Sequence, residues 1–133
     1  MSKLRNGLRT AFAGLLTVPI LFLPIGASAA PASEAELNLY VKISAVNACI
    51  SVGAGLPYDK AIFIASSTIA DVLRGQHGGL MANQGTKPLS IEDLRKKSLS
   101  ATVVGTTQIC PKEVPSDVLL EVQKSSGSKS RSK

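Results

Sequence analysis

The only histidine of this 133-residue chain, His77, lies in Gly75-Gln76-His77-Gly78-Gly79, where flanking glycines make a flexible loop able to present an imidazole to a ligand. Acid–base or nucleophilic work also needs an orienting carboxylate or an activated Ser or Cys close by. The local sequence supplies neither, so the plain expectation is a solvated loop histidine and the sharper one is ligand contact. Gly53-Ala54-Gly55 follows a helical pattern instead of a strand and lacks the third glycine and the lysine of a phosphate-cradling loop, so it reads as a helix end. Glu92 and Asp93 are adjacent in a first helical turn, where acids complement the helix dipole. No catalytic residue and no cofactor is assigned on this basis. With one His and no CxxC spacing, no metal site is assigned either.

Cys49 and Cys110 are the chain's two cysteines, and an even count in an exported chain points to one disulfide, with two buried free thiols as the alternative. A second candidate surface is the row Tyr40, Ser44, Asn47 and Ser51, small uncharged polar groups on one helix face where Lys and Glu are usual. Such a face suits a pocket or a partner interface, against the ordinary alternative of a wet helix side. The run Arg95-Lys96-Lys97 and the basic C-terminus suit an anionic surface or, more simply, solvent.

Export is read from the first 29 residues, a cleavable signal peptide. Lys3, Arg5 and Arg9 stand with no acid among the first nine residues, and from Ala11 to Ile25 the only polar side chain is Thr17. Fifteen residues at a 1.5 Å rise reach roughly 22 Å, short of the roughly 30 Å hydrocarbon core, and Pro19 and Pro24 interrupt them. Ala27-Ser28-Ala29 offers small residues to a leader peptidase, placing the mature start at Ala30 in the periplasm or outside the cell. No membrane-spanning segment is expected after cleavage. Removing Lys3, Arg5 and Arg9 leaves twelve basic against nine acidic residues, and four of the basic ones, Lys124, Lys129, Arg131 and Lys133, sit in the last ten positions. The body from Ala30 to Gln123 then carries eight against nine, which excludes nucleic-acid binding through overall basicity.

The elements that must position these groups read as helices. Ser33 and Glu36 have capping-box spacing. Leu37, Val41, Ala45, Ala48 and Val52 follow on one face, and Leu39, Ile43, Val46 and Ile50 form a second apolar strip, predicting a helix buried on two sides and ended by Gly53 and Gly55. Pro57 opens a second helix running to about Arg74, with Gly75 as its stop. Gly75 to Pro88 is a long polar connection of a kind that is functional or mobile. Ser90 with Asp93 caps a third helix with Ile91, Leu94, Ser98, Ala101 and Gly105 inward, small enough there for close helix approach. The β-branched run Thr102 to Ile109 admits a strand, with helix preferred. Ser116 caps a short last helix carrying Val118, Leu119, Leu120 and Val122. The fold expected is all-α: one four-helix domain over residues 30–123 tied by Cys49 and Cys110, after a signal peptide at 1–29 and before a disordered basic tail at 124–133.

The stretches LYVKISAVNAC, IADVLRGQHGG, KPLSIEDLRKKS and ICPKEVPSDV resemble a group of small exported proteins of marine picocyanobacteria, some of which carry a class II cyclic-AMP phosphodiesterase label. The resemblance covers most of residues 37–122 and implies no residue roles. A class II site resembles a His-x-His-x-Asp-His metal cluster, which one histidine does not build. The function expected is therefore a non-catalytic binding or interaction module of the cell envelope, with a protein or small ligand as partner. The alternatives are the labelled hydrolase and a stress-protective periplasmic protein, the latter by fold analogy alone.

Overall fold

A computed structural model describes residues 29–130, with side chains through Gly127; the signal peptide expected at 1–29 lies outside the described residues except for Ala29, as do residues 131–133. Four helices appear in chain order: α1 (Glu34–Gly53), α2 (Tyr58–His77), α3 (Ile91–Ile109) and α4 (Ser116–Ser130). Among the described residues no strand is present, and the all-α, disulfide-tied fold expected from the sequence is the fold observed.

The helix starts follow from local chemistry. The Ser33 hydroxyl accepts from the Glu36 N–H at 3.3 Å, while Glu36 Oε2 accepts from the Ser33 N–H at 2.8 Å, closing the capping box of α1. The Ser33 hydroxyl also donates to Glu36 Oε2 at 2.7 Å, and this bond first, then that of the Ser33 N–H, holds the Glu36 carboxyl below its ordinary value. Ser90 caps α3 in the same way, accepting from the Asp93 N–H at 3.1 Å. The Thr102–Ile109 segment is helical because that geometry buries Thr102, Gly105 and Thr106 against α1 and α2, and the threonine hydroxyls are satisfied within the helix. Thr102, Thr106 and Thr107 donate to the carbonyls of Ser98, Val103 and Val104.

α1, α2 and α3 pack on one another as a three-helix bundle, and α4 adds chiefly to α3. One end of the core holds Ala32, Ile69, Ala70, Leu73, Met81 and Leu94, the other Ala48, Ala61, Ile62 and Ala65. Between them lies a layer of small and hydroxylic residues. A Cβ on Gly105 would stand 2.8 Å from the Ala45 Cβ, so the α1–α3 crossing is as close as the small inner row of α3 allows. Thr102 gives its proton to Ser98, so the buried Ser44 hydroxyl donates to Thr102. By the same logic Tyr58 donates to Thr106, which has spent its own proton on Val103. Among the described residues no buried side-chain polar atom is left without a partner, which offsets the cost of burying this layer. Cys49 on α1 is joined to Cys110 just after α3, with Cα atoms 6.0 Å apart, inside the usual disulfide range.

Three expectations are corrected. The strip Leu39, Ile43, Val46, Ile50 is not buried: these residues are 53, 46, 41 and 65% exposed, because α1 contacts α2 and α3 through one side only. The second helix does not stop at Gly75 but runs to His77, since Leu73 and His77 share the buried face and continuing one turn buries both; Gly78, at φ 58°, ends it in the left-handed conformation. The last helix continues past Gln123 to Ser130, with the Ser125 and Ser126 hydroxyls bonded to the Val122 carbonyl, where the sequence suggested coil from residue 124. No described helix is long and apolar enough to cross a membrane.

Candidate functional site

His77 occupies the end of α2 and is only 7% exposed, which corrects its reading as a solvated loop histidine. Burial follows from its place one turn beyond Leu73 and from the chain entering α1. Nδ1 lies 2.9 Å from the Ala30 carbonyl, which can only accept, so Nδ1 carries a proton. In the neutral imidazole Nε2 is then the acceptor for the Tyr40 hydroxyl at 3.0 Å. Both ring nitrogens are thus spent on protein atoms. The residue ties three segments together: the entry to α1, α1 itself and the end of α2.

That tie continues as a strap. Ala32 is fully buried and pairs with Met81 in an isolated bridge, its N–H donating to Leu80 at 3.0 Å and its carbonyl accepting from Ala82 at 2.9 Å. Gly79, at φ 76°, accepts from the Leu89 N–H at 2.9 Å, and a side chain there would stand 2.8 Å from the Leu89 carbonyl. The polar connection after α2 is accordingly pinned at both ends, with one 3-10 turn, Ala82–Gln84, between.

Between α1, α2, α3 and that turn opens a cavity of about 510 Å³. Leu37, Val41, Ile69, Leu73 and Met81 give it an apolar wall, Ser98 and Thr102 a hydroxylic floor, and Asn38, Tyr40, Asn83, Gln84 and Lys97 its polar groups. The size falls within the range of small-molecule sites, and an apolar body with a few convergent polar groups is their usual lining. Among the described residues no carboxylate lines it, and Lys97 is its only charged group. The arrangement can take up an apolar body and hydrogen-bond or neutralise one polar end.

The polar row proposed on α1 does not form one surface. Tyr40 is half-buried and lines the cavity; Ser44 is buried against Thr102, because α3 approaches most closely at that level; Asn47 is exposed; and Ser51 is half-buried with its hydroxyl bonded to the Asn47 carbonyl at 2.8 Å. Ser44 is therefore corrected from surface group to packing contact. Cys49 and Cys110 are brought together as expected, and neither lines the cavity. Sequence inspection missed Asn38, Asn83, Gln84 and Met81, which no local pattern marks. The paired glycines after His77 were the one signal that the helix ran on to that residue. Among the described residues no cluster of three His, Cys, Asp or Glu side chains is present that could hold a metal ion.

A family match accompanies this geometry, covering residues 35–133 and thus all four helices. The chain belongs to the family described as domain of unknown function DUF8650. No curated protein and no solved structure matches it. In DUF8650 terms, the match takes in Tyr40, His77 and every residue of the cavity lining, whereas the strap residue Ala32 precedes it.

Proposed function

We propose that this DUF8650 chain is an exported, non-catalytic binding module of the cell envelope, periplasmic or extracellular, that takes a small amphipathic ligand in the cavity between α1, α2 and α3. The observation that carries the proposal is the lining itself, an apolar wall facing amide side chains and a single cation, Lys97. A ligand with an apolar body and a polar or anionic end satisfies both parts. Export is supported by Lys3, Arg5 and Arg9 ahead of the apolar run Ala11 to Ile25, by Ala27-Ser28-Ala29, and by a disulfide suited to an oxidising compartment. Cleavage after Ala29 would spare the first tie of the folded unit, the Ala30 carbonyl on His77. The picocyanobacterial kinship belongs to the same reading. The hydrolase alternative gains no support from His77, whose two nitrogens are both engaged.

Native mass spectrometry of protein taken from its own envelope fraction tests the proposal. The expected result is a small-molecule adduct, lost on Ala101→Phe, which puts a ring into the cavity from a half-buried lining position. Protein that is empty from its native source and takes up nothing from an envelope extract would overturn it.

A further inference from the structure

Among the described residues the face of α1 opposite the core has no partner. Ala45 and Ala48 point into the bundle, and half a turn away Leu39, Ile43, Val46 and Ile50 stand in water at 53, 46, 41 and 65% exposure. Their offsets of four, three and four residues are those of the a and d positions of a coiled coil. A solvated helix face carries Lys and Glu, yet no charged residue occurs from Ile43 to Leu56. The last helix, α4, lies chiefly along α3, in a groove formed with Val104, Thr107 and Pro111, and leaves this strip open.

We propose that this face is a self-association surface, on which a second copy of the chain lays its own α1 antiparallel. Charge favours a second copy over an anionic bilayer, because Lys42 is the only cation within α1, while Arg95, Lys96 and Lys97 lie on α3. Charge also sets the direction. In parallel register Glu36 would face the partner's Glu36 at an a position. Antiparallel pairing sets Leu39 opposite the partner's Ile50, Ile43 opposite the partner's Val46 and Glu36 opposite the partner's Gly53, and it opposes the two helix dipoles. The four side chains expose on the order of 300–400 Å² per copy, within the range of the largest patch on a typical monomer. Doubled, that is roughly 600–800 Å², below the roughly 1,200 Å² at which stable specific interfaces begin, so flanking contacts must add to it and the dimer is weak and reversible.

Sedimentation equilibrium on the mature chain, expressed in an exporting host with its disulfide formed, tests this from micromolar to near-millimolar concentration. Expected are twice the monomer mass at the upper end, monomer for Leu39→Glu and for Ile50→Lys, and dimer again for Leu39→Glu/Ile50→Lys, where antiparallel pairing brings the new acid and base together twice. Far-UV circular dichroism checks that each variant is folded. Phe63→Lys, a substitution on α2 outside this face, leaves the mass distribution unchanged. A monomer at every concentration overturns the proposal, as does a double variant no more dimeric than the singles. A monomer that instead co-sediments with phosphatidylcholine vesicles overturns it in favour of a lipid surface.

Discussion

Replacing Gly105 with alanine sets two effects of opposite sign against each other. In an unpacked helix Gly→Ala stabilises by about 1 kcal/mol. Here the new methyl would stand 2.8 Å from the Ala45 Cβ and 3.5 Å from Val41 Cγ1. The Ala45 Cβ is fixed to the α1 backbone and cannot swing away, so α1 and α3 must separate by several tenths of an ångström. Overpacking of this kind costs roughly 1–3 kcal/mol. The clash outweighs the gain, and Gly105→Ala should destabilise by up to about 2 kcal/mol, read from urea unfolding followed by circular dichroism with the disulfide intact. In an Ala45→Gly background the same substitution should revert to its intrinsic gain, so the double-mutant cycle should show a coupling of at least about 1 kcal/mol. A Gly105→Ala protein more stable than the parent would refute the close helix crossing.

Reducing the Cys49–Cys110 bond, which closes a sequence separation of 61, should lower stability by about 4 kcal/mol in the chain-entropy model, read from paired denaturation curves with and without reductant. Tyr40→Phe removes the donor to His77 Nε2 and should cost about 1–2 kcal/mol, whereas Asn47→Lys, at an exposed position, should stay within about 0.5 kcal/mol in the same assay. Glu36 has its folded pKa below the ordinary 4.5, so the unfolded chain binds more protons in that window. Its contribution is complete above 4.5 and is lost as pH falls through the lower folded value; the acid limb of a melting-temperature profile should be shallower for Glu36→Gln.

Much of the fold was legible locally. Ser33 with Glu36 and Ser90 with Asp93 bond groups three residues apart, so their caps are written into the chain wherever the helix goes. The small row Ser98, Ala101, Gly105 announced a close helix contact, and two cysteines in a chain read as exported left one pairing to make. Helical periodicity also found both apolar strips of α1, but it reports only that a strip exists. Whether another element covers the strip depends on partners distant in sequence, and for Leu39, Ile43, Val46 and Ile50 none of the other helices does. His77 was misread for the same reason: its neighbours Tyr40 and Ala30 lie 37 and 47 residues away, and their bonds, with the burial of Leu73, carry the helix past Gly75. The cavity draws Asn38, Asn83 and Lys97 from three separate segments, each an ordinary surface residue in its own stretch. Short-range chemistry thus determined the helices and the capped starts of α1 and α3, and long-range packing decided where α2 ends, which helix faces are core, which are surface and where the cavity opens.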